Sequence, residues 1–77
     1  MAELLEWIAK QLVDDPAAVR VEEIEHDEDT IVLALHVAPE DRGKVIGRQG
    51  RIARALRTIV RASAARSRQR VVLEIVE

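Results

Sequence analysis

Gly47-Arg48-Gln49-Gly50 sets two glycines three positions apart around a cation and an amide, directly ahead of a helix-forming run from Arg51 to Ala62. Glycine lacks a Cβ, so the backbone can turn tightly there and a bulky anion can approach the main-chain N–H groups. A helix that starts at once behind such a turn aims its free N–H groups and the positive end of its dipole at the same place. The chemistry this spacing suits is non-covalent capture of phosphate, with arginine side chains adding mobile charge around fixed donors.

The turn sits in a segregated charge field. From Arg42 to Arg70 the chain holds ten of its twelve basic residues, all but Lys10 and Arg20, and none of its fourteen acids. The formal net charge of −2 conceals this positive lobe. A polyanion binder needs a local positive surface rather than a basic total, and acid elsewhere limits indiscriminate adhesion. Lys44, Arg51 and Arg54 are the cations expected to support Arg48 around the turn.

Composition removes other chemistries. At 77 residues the chain has the size of one small domain, residues 1–77, with little room for a deep catalytic pocket, and no enzyme is expected. Trp7 is the single aromatic residue, which disfavours base stacking on aromatic platforms. Without cysteine there are no disulfides, thiolate metal sites or thiol nucleophiles, and two histidines make a poor zinc site. The acids from Glu25 to Asp29 lack the ligand spacing of a calcium loop, and Ser63 and Ser67 have no accompanying histidine base. Neither metal nor cofactor is expected. The first residues are acidic and no apolar run approaches a membrane span or a signal core, so a cytoplasmic protein with no membrane partner is expected.

The elements that position the turn follow from periodicity. Ala2 to Val13 sets Leu4, Leu5, Ile8, Ala9 and Leu12 at helical spacing, and Asp14-Asp15-Pro16 ends the run. Val19 to Glu25 alternates with one slip, which reads as a strand with a bulge. After a polar turn at His26 to Asp29, Thr30 to Val37 is a stronger strand, with Ile31, Leu33, Leu35 and Val37 on one face and Val32, Ala34 and His36 on the other. The two strands should pair as an antiparallel hairpin. Pro39-Glu40-Asp41 opens a short helix to about Ile46, and the long helix behind the glycine turn runs to about Arg66. Its expected apolar stripe is Ile52, Leu56, Ile59, Val60 and Ser63, with Arg54, Arg57 and Arg61 on a neighbouring solvent side. Val71 to Val76 is a last strand, expected parallel to the second because a two-helix crossover precedes it. The reading is an α+β fold of order α-β-β-α-α-β, a three-stranded mixed sheet covered on one face by helices.

A strand, a short helix, a Gly-x-x-Gly turn, a longer helix and a strand form the core of the KH domain, and this chain resembles its type II arrangement over its whole length. Val45-Ile46-Gly47-Arg48-Gln49-Gly50 fits the family pattern Val/Ile-Ile-Gly-x-x-Gly, with the apolar Ile52 following as in that pattern. More narrowly, the opening Glu3-Leu4-Leu5-Glu6-Trp7-Ile8-Ala9-Lys10, the segment Val37 to Arg51 and the ending Arg70 to Glu77 are similar to the small stand-alone bacterial members. The resemblance implies single-stranded RNA binding, dimerisation with itself or with a larger KH partner, and post-transcriptional regulation linked in some bacteria to cell elongation. It also implies roles: Gly47, Arg48, Gln49 and Gly50 clamp the RNA backbone, Lys44, Arg51 and Arg54 supply charge, and Val45, Ile46 and Ile52 line an apolar groove for the bases.

Plainer readings stand beside these. Arg57 and Arg61 read as a solvated helix face, and Arg66, Arg68 and Arg70 as cations neutralising a helix C-terminus. Trp7 reads as a partly buried core or dimer-contact residue, and His36 as an exposed strand residue. Ala62 to Ala65 with Val60 would permit close helix approach and is the expected dimer face. Two rival functions remain: a dimerisation module with little RNA affinity of its own, and a helix-hairpin-helix binder of duplex DNA. The latter normally carries Gly-x-Gly and no flanking parallel strands, which the spacing here opposes.

Overall fold

The computed structural model of the chain describes residues 2–65 and 68–76. Helix α1 is Ala2–Leu12, and strands β1 (Arg20–His26) and β2 (Thr30–His36) follow. Helices α2 (Arg42–Ile46) and α3 (Arg51–Ala64) precede strand β3 (Arg70–Ile75). The sheet order is β1-β2-β3, with β1 antiparallel and β3 parallel to the central β2. The expected slip in β1 is a register shift between Glu23 and Glu25, which leaves Ile24 as the extra residue, half exposed. In the hairpin turn the Asp27 carboxylate accepts hydrogen bonds from the N–H groups of Asp29 and Thr30 (2.8 and 2.7 Å). Arg70 N–H donates to the Asp29 carbonyl at 2.7 Å and seats the start of β3 beside β2.

One hydrophobic cluster joins all three helices to the same face of the sheet. Leu33 and Leu35 of β2 and Val71 and Leu73 of β3 meet Leu5 and Ala9 of α1, Val45 of α2, and Leu56, Val60 and Ala64 of α3. Among the described residues no helix covers the opposite face, where Val72 and Glu74 are exposed. Ala34 is nonetheless fully buried on that side, because its one-carbon side chain lies between its cross-strand partners Glu22 and Glu74. His36, on the same side, is half-buried rather than exposed.

Three packing expectations need correction. Of the two roles expected for Trp7 the core one is overturned: it is 62 % exposed in the single chain, because two residues on from Leu5 a side chain has rotated about 200° round the helix and points away from the sheet. Leu4, on the flank of α1, is 41 % exposed. On α3 the buried stripe is Ala53, Leu56, Val60 and Ala64; Leu56 and Val60 were expected there and Ile52 is half-buried, but Ile59 and Ser63 are exposed. Alanines bring the helix backbone close to the sheet, and the longer Ile59 is left on the exposed flank. Val60 and Ala64 are therefore core residues and cannot form an outer dimer face, whereas Ala62 and Ala65 remain exposed. Helix α3 ends at Ala64, and Arg66 and Ser67 lie outside the described residues.

Candidate nucleic-acid interface

Between α2 and α3 the chain turns through backbone conformations that side chains resist. Gly47 has φ 77° and ψ 170°, a region occupied almost only by glycine. Gln49 (φ 57°) and Gly50 (φ 73°) are both left-handed. Gly47 N–H closes α2 on the Gly43 carbonyl (2.9 Å), Gly50 N–H bonds the Gly47 carbonyl (3.1 Å), and Arg51 N–H bonds the Arg48 carbonyl. That arrangement uses the N–H groups of Gly47, Gly50 and Arg51. The N–H groups of Arg48 and Gln49 take no backbone acceptor among the described residues, both residues are exposed, and the dipole of the 14-residue α3 favours an anion near them.

Glycine is required at the two ends for different reasons. A Cβ on Gly47 would stand 2.7 Å from Cγ1 and 2.9 Å from Cβ of Ile52, so the turn is pressed onto α3 there. At Gly50 a Cβ meets nothing within 4 Å, and only the positive φ selects glycine. Gly43 is helical, with open space around it and no such demand.

The residues expected at the site divide three ways. Arg48, Gln49 and Arg51 are exposed around the turn, and Ile46 and Ile52 are half-buried beside it, which leaves apolar surface next to the open donors. Val45 is wholly buried in the core and supports the turn from beneath; it cannot line a groove. Its neighbours in the sequence did not reveal this, because Val45-Ile46 is an apolar pair on a five-residue helix with one side to the core.

Two cations are already engaged. Arg54 Nη2 donates to the Gln49 carbonyl at 2.9 Å, holding the left-handed peptide from the second turn of α3. Lys44 Nζ pairs with the carboxylates of Asp14 and Asp41, the latter at 3.4 Å. Asp41 is fully buried and also accepts the Asp15 N–H at 3.0 Å. Burial alone would raise the Asp41 carboxyl, but the backbone N–H donors of Asp15 and Asp14, with Lys44, outweigh it and hold it below the ordinary carboxylate value. The Asp14 carboxylate, against partial desolvation and with help from Asp41, holds the Lys44 ammonium above its ordinary value. Lys44 thus fastens α2 to the connector after α1 instead of standing free for phosphate. Asp41, three residues before Lys44, was visible as a helical neighbour; Asp14, thirty residues away, was not.

Comparison with known proteins fits this geometry. A family model described as KhpA/KhpB, KH domain, matches residues 2–75, which takes in the turn, both helices that flank it and all three strands. The chain belongs to this KH-domain family. Members similar to it over nearly the full length of both chains include the RNA-binding protein KhpA of Caldanaerobacter subterraneus subsp. tengcongensis (57 % identical, 99 % of this chain and 100 % of that one). The RNA-binding protein KhpA of Clostridium acetobutylicum is also 57 % identical, with the same coverage. That of Aquifex aeolicus is 54 % identical over 100 % of this chain and 96 % of its own. No solved structure gives a significant match. As a KH domain the chain has the α+β architecture anticipated from its pattern, with the glycine turn inside the crossover from β2 to β3.

Proposed function

We propose that this protein binds single-stranded RNA, gripping the sugar-phosphate backbone at Gly47-Arg48-Gln49-Gly50. The observation that carries the reading is the pair of open backbone donors at Arg48 and Gln49, at the N-terminus of α3, in a segment of the chain with no acid from Arg42 to Arg70. Arg48 and Arg51 supply mobile charge to the phosphates, and Ile46 and Ile52 give base faces an aliphatic surface. The relatives named RNA-binding protein KhpA support the same ligand. With two to four phosphate contacts, the log-log dependence of affinity on salt has a slope of roughly −1.5 to −3.

A lone module of this size gains from dimerisation, which raises its effective concentration on RNA carrying two short sites. The exposed Ile59, Ala62 and Ala65 on the outer side of α3 support pairing with a second copy or with a KhpB partner. In that setting the protein acts in post-transcriptional regulation in the cytoplasm, with a link to cell elongation. Among the described residues no helix is long and apolar enough to cross a membrane.

Fluorescence anisotropy of a labelled single-stranded RNA pool, titrated with wild type and with Arg48→Asp/Gln49→Asp, tests the clamp once circular dichroism shows both folded. Binding is expected with wild type and absent in the variant. Equal binding by both would remove the turn from the site, and no binding by either would leave a dimerisation module. Sedimentation of Ala62→Glu/Ala65→Glu tests the pairing face, since a variant that dimerises like wild type excludes it.

A further inference from the structure

Three cations outside α3 are matched by acids. Lys10 lies 3.4 Å from Glu6, Arg20 lies 3.8 Å from Glu22, and Lys44 is held by Asp14 and Asp41. On α3 the pattern is the reverse. Arg54, Arg57 and Arg61 follow one another at intervals of three and four residues, so their side chains rise along one flank of the helix, spanning about 10 Å from first to last. None of the three has an acidic partner among the described residues, and α2, which packs against α3, contains no acid.

Like charges at these intervals destabilise an isolated helix, and among the described residues no acidic side chain pairs with them. The flank is also set apart from the rest of α3. Ile52, Ile59 and Ser63 lie on the other side of the buried stripe, so the helix presents an apolar edge on one side and a cationic edge on the other. Arg57 is half-buried, which suits an arginine, whose aliphatic stem can rest on protein while its guanidinium reaches water. Arg54 joins the flank to the glycine turn through its bond to the Gln49 carbonyl, so the cationic edge begins where the open N–H donors end.

From this continuity we infer that the Arg54-Arg57-Arg61 flank is a second phosphate-binding track, which carries the RNA strand onward after it leaves the glycine turn. The inference rests on the RNA-binding reading and extends it: the preferred ligand is a single strand longer than the four or so nucleotides that the turn and its groove accommodate. The flank recognises backbone alone, since it offers guanidinium groups and no base-reading geometry. It adds affinity and salt dependence without adding sequence preference.

The test compares a four-nucleotide with a ten-nucleotide RNA of mixed sequence, each titrated across a range of potassium chloride with wild type, Arg57→Gln/Arg61→Gln and Arg48→Asp/Gln49→Asp. Glutamine keeps helix propensity and the stem's packing. Wild type is expected to bind the longer strand with a salt slope steeper by about 1.4, the release expected for two further phosphates on a single strand. The flank variant should bind the tetramer as wild type does, yet lose the added slope and several-fold or more of its affinity for the decamer. Wild-type binding of the decamer by the flank variant overturns the track, and so does an equal loss on both lengths, which would place the two arginines at the turn itself. Retained decamer binding by the turn variant overturns the clamp instead, so the two failures are told apart. Absence of wild-type binding to either strand overturns both.

Discussion

Ile52 closes off the space beside Gly47: the nearest approach of a Cβ at position 47 would be 2.7 Å, to the Ile52 side chain, with the Ile52 backbone nitrogen at 2.9 Å. Contacts under 3 Å against a branched side chain and a backbone atom leave no way to yield without moving α3. Gly50 has a left-handed backbone but free space around it. The two glycines of the turn are therefore unequal.

Gly47→Ala should be the most damaging single change in the turn. Its backbone region costs a non-glycine residue about 1–3 kcal/mol before the collision is counted. Gly50→Ala should cost about 1–2 kcal/mol, and Gly50→Asn less, because asparagine tolerates the left-handed region. Urea unfolding of the three variants measures the order, and a Gly50→Ala protein less stable than Gly47→Ala would reverse it.

Arg54→Ala should loosen the turn without unfolding the protein. The hydrogen bond to the Gln49 carbonyl is exposed and worth about 1 kcal/mol. Its loss is expected to lower the backbone heteronuclear NOE of Gln49 and Gly50 while the strands keep theirs. Unchanged values at both residues would mean that the turn's own hydrogen bonds suffice to hold it.

The pairing of Asp41 with Lys44 predicts a particular dependence on pH. The Asp41 carboxyl lies below its ordinary value of 3.8, so its contribution to stability is present above that pH and fades as pH falls through the lowered value. Lys44 lies above its ordinary 10.5, so its contribution is complete below that pH and fades as pH rises through the raised value. Asp41→Asn should destabilise the protein at pH 6, with the gap narrowing in acid below 3.8. Denaturation midpoints from pH 2 to 6 measure it; a constant gap would show that the charge itself contributes nothing.

Trp7→Ala should change stability by no more than about 0.5 kcal/mol, as expected for a side chain that is 62 % exposed on the outer face of α1. The tryptophan emission of dilute protein should be red-shifted and readily quenched by acrylamide. A protected, blue-shifted emission that persists on dilution would contradict the exposure found here.

How much was legible in the sequence depended on whether a feature was periodic or three-dimensional. The β2 alternation, the slip in β1, the parallel return of β3 and the glycine turn all follow from local spacing, and each is present. The errors arose where two faces of one element compete. On α3, Ile59 looks more like core than Ala53 or Ala64 by hydropathy, but the close approach of helix to sheet favours the smaller residues. The site was legible as a turn with a charge, not as a set of contacts. Periodicity did not reveal that Lys44 is claimed by Asp14 from another connector, or that Arg54 bonds the turn's own carbonyl.

The position of the turn in the connection between two neighbouring parallel strands carries a consequence for folding. The central strand cannot acquire its last neighbour until the intervening chain has reversed direction through Gly47–Gly50. Closure of the sheet and formation of the turn are thus coupled steps in the folding of the molecule. A newly made chain that has not formed the turn still shows an unpaired edge on β2, a template for pairing with other chains that the docking of β3 covers.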